Sequence, residues 1–370
     1  YLASESDFEI VGRAENGAQA IEMVRRLRPD ALTLDLEMPG IDGLTALVSI
    51  MRDAPTATIV VSGVSGRAAT RTLQALDAGA VDFVLKFDPK TPTDPEALRR
   101  EVVAKVRAAA GLRVIRTVGL SAVAAVSEAE EPWGQDRGWR TPDPRRPPGV
   151  VPSGRPLGAG VAAFPARGGL VVIGASTGGP VALRELLAEL PADLEASIVI
   201  VQHLPSSFTG VLAAQLDRTA KIRVREAEDG DLLEPGTALV APGGYHLLVR
   251  RDGKVEMLKG PEIGGHCPSV DVTMQSAAKV YGSRVRGVVL SGMGDDGAEG
   301  LFAIRSRGGR TYAQEATSCV VNGMPQRARD RGAVDFVLPP AELARRLVAD
   351  IRGVAEPTFD LPSARSASGG

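Results

Sequence analysis

The 370-residue chain is poor in cysteine, histidine and aromatic residues, with two Cys, three His, and Phe, Trp and Tyr together at 4%. Two cysteines, Cys267 and Cys319, cannot build a disulfide framework or a four-cysteine metal site, and such usage fits a reducing cytoplasm. No apolar run reaches the ~20 residues that a membrane-spanning helix needs, and no signal-peptide pattern opens the sequence. An excess of one charge is lacking too. The 43 Lys and Arg against 45 Asp and Glu leave −2, which argues against a dominant nucleic-acid surface. What is present, 44% hydrophobic and 24% charged residues, is ordinary for a globular protein with a sizeable core. At ~150 residues per domain the length favours two or three domains.

Short apolar stretches alternate with stretches of helical period. In the first part, strands are predicted over 8–12, 31–36, 58–61 and 81–85, and helices over 18–27, 44–51, 68–78 and 95–110. In the second part, strands are predicted over 170–173, 198–201, 285–290 and 334–337. Helices there fall at 180–190, 208–219, 270–281, 298–306 and 340–352, and a hairpin turns at Arg251-Asp252-Gly253-Lys254. Strands alternating with helices imply parallel sheets covered on both faces. The fold class is α/β, with two doubly wound parallel-sheet domains at 1–110 and 168–354. Between them, 111–167 is expected to be a flexible linker, because eight prolines crowd residues 132–165 and remove backbone donors. Its Trp133 and Trp139 are the only tryptophans, and 355–370 is expected to be a disordered tail.

Ligands in such sheets bind beyond the carboxyl ends of the strands. In the second domain, Ser176, His203 and the Asp295-Asp296 pair follow three predicted strands. A serine hydroxyl becomes nucleophilic when an imidazole takes its proton, and a carboxylate fixes the imidazole tautomer. Two simpler uses stand beside that one. Ser176 or Thr177 could be only a helix N-cap, and Gly174-Ala175-Ser176-Thr177-Gly178-Gly179 could cradle a phosphate, although it lacks the P-loop lysine. His246 reads as structural or surface. Ser269 reads as a cap, and the neighbouring His266-Cys267 lacks the second ligand pair that a metal site needs. In the first domain, Asp35, Ser62 and Lys86 end successive strands. A carboxylate, a hydroxyl and an ammonium there suit an acyl phosphate on Asp35 whose oxygens meet Lys86 and Ser62.

These residues resemble two families. Leu34-Asp35-Leu36-Glu37-Met38-Pro39-Gly40 and Ala80-Val81-Asp82-Phe83-Val84-Leu85-Lys86 are similar to response-regulator receiver domains. Ile173-Gly174-Ala175-Ser176-Thr177-Gly178-Gly179-Pro180, Gln202-His203-Leu204-Pro205, His266-Cys267-Pro268-Ser269-Val270-Asp271 and Gly292-Met293-Gly294-Asp295-Asp296-Gly297 resemble the chemotaxis protein-glutamate methylesterases, the CheB family. The resemblance implies a flavodoxin-like receiver and a Rossmann-like esterase. It implies hydrolysis of glutamate methyl esters on chemoreceptors and deamidation of receptor glutamines, in the cytoplasm. Ser176 would be nucleophile, His203 base and Asp296 orienting acid, with Asp295 the alternative in the doublet. Thr177 would lie beside the nucleophile, and the Met293 N–H would serve the oxyanion. A CheA-type histidine kinase would phosphorylate Asp35 and relieve a blockade of the esterase. No cofactor is implied for the esterase.

Two departures stand out. Family receivers begin with an apolar strand and an acidic pair that holds Mg²⁺ with the phosphoacceptor, and neither precedes Phe8. Residues 4–7 look like the end of a first helix. Asp35 is therefore expected to lack its remaining metal ligands and to be phosphorylated poorly. Phe87 also stands where receivers usually have proline. Two other classes compete: a non-enzymatic phospho-signalling adaptor, and a transcription regulator, which the absence of a helix-turn-helix pattern disfavours.

Overall fold

The computed structural model describes residues 1–86, 95–111 and 169–353. The expected linker beyond residue 111, with Trp133 and Trp139, and the expected tail lie outside the described residues.

In the first unit, β1 (Ala31–Asp35), β2 (Ala57–Ser62) and β3 (Asp82–Leu85) form a parallel sheet in that order. The first three α-helices each start at a side-chain cap. Asn16 accepts from Gln19, Asp42 from Thr45 and Ser65 from Ala68, so the Gly17–Leu27, Gly43–Asp53 and Gly66–Asp77 helices begin where orphan N–H groups find an acceptor. Leu34, Val60 and Phe83 are buried on one face of the sheet. Ile59 and Val84 are buried on the other, against Val106 and Ala109 of the Pro95–Ala110 helix. Both faces are covered, as a parallel sheet requires.

The strand predicted over 8–12 does not form. It pairs with no strand, and Ile10 and Val11 are 42% and 48% exposed. An apolar stretch becomes a strand only where a neighbour takes up its N–H and C=O groups. Residues 4–7 are not the end of an α-helix either. The chain makes a three-residue 3₁₀ turn at Leu2–Ser4, and Glu5 and Asp7 then pair with Arg99 and Arg107 of the Pro95–Ala110 helix.

The second unit is a seven-stranded parallel sheet of order β12-β11-β10-β4-β5-β7-β6. The chain enters at β4 (Leu170–Ala175) and moves through β5 (Ser197–Gln202) to β6 (Arg223–Glu226) and β7 (Thr237–Val240). It then returns to the other side of β4 as β10 (Val285–Val289), β11 (Arg310–Gln314) and β12 (Phe336–Leu338). The switch of direction lies between β4 and β10, which is where ligand crevices open. Every residue of β4 and β5 is buried. The predicted hairpin forms as antiparallel β8 (His246–Val249) and β9 (Val255–Leu258). β6, β7, β11 and the Gly323–Asp330 helix are additions to the sequence prediction.

The two units share a core. Leu73, Leu76 and Phe83 of the first continue into Leu183, Phe208 and Leu212 of the second. The Phe83 and Phe208 rings stack, with centroids 4.7 Å apart and planes 9° apart. Beside them, Asp77 accepts hydrogen bonds from Arg184 and Gln215.

Candidate active site

Ser176 leaves β4, His203 leaves β5 and Asp296 lies in the loop after β10, so three adjacent strand ends deliver the three side chains to the crevice. The Ser176 N–H donates to Ser291 O at 3.0 Å, and the His203 N–H donates to Ala175 O at 3.0 Å. Sheet-like pairing thus continues one residue past each strand and fixes both backbones. The Gln202 side-chain amide donates to Ser176 O at 2.8 Å. Gly179 permits this, since a Cβ there would fall 2.0 Å from Gln202 Oε1.

Neither Ser176 nor Thr177 caps the following helix. The Gly179–Glu189 helix has Gly178 at its N-cap, with φ +78° and no side-chain cap. The Thr177 hydroxyl instead donates to Asp82 Oδ2 of the first unit at 2.7 Å.

His203 Nε2 lies 2.9 Å from Asp296 Oδ2, with both side chains less than a tenth exposed. His203 Nδ1 is buried without a hydrogen-bond partner among the described residues. Asp296 accepts three more hydrogen bonds, from Ser269 Oγ at 3.0 Å, Val270 N at 2.7 Å and Asp271 N at 2.9 Å. Those N–H groups open the Val270–Tyr281 helix, whose positive end favours an anion. Burial alone would push the Asp296 carboxyl up. The His203 hydrogen bond and charge, with the Asp271 and Val270 N–H groups, outweigh it and hold the carboxyl below its ordinary value. Asp295 is exposed, so within the doublet Asp296 is the residue the fold places on the imidazole.

The loop that carries Met293 lies directly against Ser176, since a Cβ on Gly292 would sit 2.9 Å from Ser176 Cβ. The Gly292 carbonyl accepts from Met324 N at 2.9 Å, and the Gly292 N–H donates to Val321 O at 2.9 Å, so the loop is anchored on both sides of its backbone.

Several neighbours were only partly legible or were missed. Ser269 is the predicted N-cap, accepting from Val272 N, but its hydroxyl also donates to Asp296. His246 is buried. Its Nδ1 accepts the Ser269 N–H at 3.2 Å and its Nε2 faces Pro261 O at 2.9 Å, which makes it a structural support. The His266 ring stacks on His203, and burial pushes its pKa down to about 4, helped by the His203 charge. Asp271 accepts from the N–H groups of Gly297 and Gly300, and burial pushes its carboxyl up to about 6. Cys319 is an inert thiol, since burial pushes it up to about 12.

A cleft of about 260 Å³ runs between the units, with Ser176, Gln202 and His203 on one wall and Asp82, Lys86 and Lys105 on the other. Lys105 Nζ lies 3.2 Å from Asp82 and 2.8 Å from Glu101. Burial would lower that ammonium's pKa, but the two carboxylates more than offset it and hold it above the usual lysine value.

In the first unit, Lys86 Nζ meets Asp35 Oδ2 at 2.9 Å and Glu37 Oε2 at 3.6 Å. Ser62 is buried and faces elsewhere. Its Oγ donates to Gly63 O and accepts from Thr72 Oγ1. Among the described residues no three His, Cys, Asp or Glu side chains gather to hold a metal ion. The Asp35 carboxylate is instead engaged by the Lys86 ammonium. No helix among the described residues is long and apolar enough to cross a membrane.

Residues 171–347 match the CheB methylesterase family, and residues 1–102 match the response regulator receiver domain. A relative from Symbiobacterium thermophilum, named protein-glutamate methylesterase/protein-glutamine glutaminase, is 41% identical over 93% of this chain and 90% of its own. A relative from Pseudomonas savastanoi pv. phaseolicola, with the same name and the number 2, is 40% identical over 94% of both chains. The solved catalytic domain of Thermotoga maritima CheB methylesterase is 42% identical, covers 49% of this chain and 97% of that one, and aligns with a TM-score of 0.48. With the two full-length relatives matching more than nine-tenths of it, the chain belongs to the CheB methylesterase family and carries a receiver domain ahead of its esterase domain.

Proposed function

We propose that this protein hydrolyses glutamate methyl esters on chemoreceptors, releasing methanol, and deamidates receptor glutamines. Ser176, His203 and Asp296 carry the reaction. The observation that supports this reading best is the buried His203–Asp296 pair in the cleft that Ser176 also lines, with His203 Nδ1 left without a partner.

In the proposed reaction, Ser176 Oγ bonds to the ester carbon while its proton passes to His203 Nδ1. The carbonyl electron pair moves onto oxygen, where the Met293 N–H stabilises it. An oxyanion-hole donor typically contributes ~3–4 kcal/mol. Asp296 keeps the Nε2–H tautomer in place and stabilises the imidazolium. The intermediate then collapses, the carbon–methoxide bond breaks, and His203 protonates the departing oxygen to give methanol. Water repeats the sequence on the glutamyl-enzyme and leaves a free γ-carboxylate. With glutamine, ammonia departs in place of methanol.

The receiver controls access. It forms one wall of the cleft, and Asp82 captures the hydroxyl next to the nucleophile. The input is phosphorylation of Asp35 by a CheA-type sensor histidine kinase. Lys86 would then pair with phosphoryl oxygens, and Ser62 would turn its hydroxyl to them. Lys86 both contacts Asp35 and lines the cleft, so it connects the phosphorylation site to the esterase wall.

The test is release of radiolabelled methanol from receptor membranes that carry labelled methyl esters, together with ammonia release from unmodified receptor. Wild-type chain is expected to release both, and folded Ser176→Ala neither. Absence of both products with wild type would favour an adaptor without chemistry.

A further inference from the structure

His266 is absent from the proposed reaction, yet its ring lies face to face with that of His203, with centroids 3.8 Å apart and planes 9° apart. We propose that His266 is a positioning residue for the esterase reaction: its flat face holds the His203 ring in the plane that keeps Nε2 on Asp296 and leaves Nδ1 free to act as the base. This rests on the reading of Ser176, His203 and Asp296 given above.

Among the described residues the His203 side chain makes one hydrogen bond, at its Nε2 edge. A single bond at one edge leaves a planar ring free to rock about the line of that bond. A ring stacked on its face removes the rocking without consuming a lone pair, so Nδ1 stays free to accept a hydrogen bond. Stacked aromatic rings attract each other beyond the area they bury.

His266 reaches that place by a backbone device that does not depend on His203. Ile263 and His266 exchange main-chain hydrogen bonds of 3.0 and 3.1 Å, closing a two-residue turn over Gly264 and Gly265. Those glycines have φ of +62° and +82°. A two-residue hairpin turn with positive φ at both positions strongly favours glycine there. On the following side, Cys267 O accepts from Gly244 N at 3.0 Å, and the Ser269 N–H donates to His246 Nδ1. The chain is therefore pinned before and after His266, and the ring sits on a fixed mount. Its burial also keeps it uncharged at neutral pH, so it adds no repulsion when His203 becomes an imidazolium.

The test compares His266→Ala, His266→Leu and His266→Phe with wild type and Ser176→Ala, all as full chains, in the labelled-methanol assay. Proton NMR of the imidazole region provides a second readout, and the chain's three histidines keep that region simple. His266→Ala and His266→Leu are expected to lower kcat by about ten- to a hundredfold with KM little changed, the scale of a misplaced catalytic group. His266→Phe is expected to restore much of that loss. The His203 ring protons should sit upfield in wild type and in His266→Phe, and move downfield in His266→Leu. His266→Leu keeps apolar bulk at the site, so loss of the fold does not confound the comparison. Wild-type kcat in folded His266→Leu, with Ser176→Ala inactive, overturns the proposal and leaves the esterase reading standing. Methanol release by Ser176→Ala overturns the esterase reading itself, and the role of His266 with it.

Discussion

Asp271 and Asp296 cap each other's helices. The Asp271 N–H donates to Asp296 Oδ1 at 2.9 Å, and Asp271 Oδ1 accepts the Gly297 N–H, next after Asp296, at 2.9 Å. Asp271 Oδ1 also takes the Gly300 N–H at 2.6 Å, at the start of the Ala298–Arg305 helix. Each carboxylate thus satisfies donors at the head of the other's helix, and the loop that carries Asp296 is fixed by both.

This exchange gives a pH-dependent prediction. Burial raises the Asp271 carboxyl from the ordinary 3.8 to about 6. The folded state therefore binds this proton more tightly than the unfolded chain does. The stability it contributes is fully present below about 4 and is lost as pH rises through about 6. Asn cannot titrate. The difference in Tm between Asp271→Asn and wild type should shift in favour of the variant as pH rises from 4 to 7. A difference independent of pH would show that Asp271 is not held protonated by the fold.

Much of the site was legible because of where parallel sheets put chemistry. Ser176 and His203 follow β4 and β5, Asp35 ends β1, and a polar residue at such a place marks the crevice. The helices over 95–110, 270–281 and 340–352 have the bounds that periodicity gave. β6 was missed because Arg223-Val224-Arg225-Glu226 is mostly charged, as an edge strand can be, and β11 because Arg310-Thr311-Tyr312-Ala313-Gln314 lacks an apolar run. Residues 8–12 erred the other way, with strand-like composition and no neighbour to pair with. The stack of His266 on His203 and the Asp271–Asp296 exchange join residues far apart in sequence. Only the packed fold brings them together.

Asp296→Asn tests the tautomer argument. Asn preserves the shape but can present an N–H to His203 Nε2, which favours the wrong tautomer. Methanol release is expected to fall about 10,000-fold with the fold intact, the magnitude seen when this partner is neutralised in other serine hydrolases. A loss under tenfold would remove Asp296 from the reaction.

The interface between the units makes a separate prediction. Asp77 sits outside the cleft walls but ties Arg184 and Gln215 of the esterase to the receiver. Losing a charged hydrogen bond costs about 1.5 kcal/mol or more, so Asp77→Ala should shift the units toward opening. Basal methanol release is expected to rise roughly tenfold by that energy. Unchanged basal release would show that these contacts do not restrain the site.

From a small phosphodonor, without a kinase, Asp35 is expected to accept phosphate poorly. Its carboxylate is paired with Lys86, and no metal-binding cluster surrounds it among the described residues. Incubation with a small phosphodonor and Mg²⁺, followed by intact-mass measurement, should show little acyl phosphate. Efficient labelling that disappears in Asp35→Asn would contradict this.

The central claim is that Ser176 forms the bond to substrate, and covalent trapping tests it most directly. The cleft of about 260 Å³ admits a small sulfonyl fluoride to the Ser176 wall. Peptide mass spectrometry is predicted to place one adduct on Ser176, with methanol release lost in proportion to labelling. Full labelling of another residue, or inactivation of the esterase with Ser176 unmodified, would contradict the assignment.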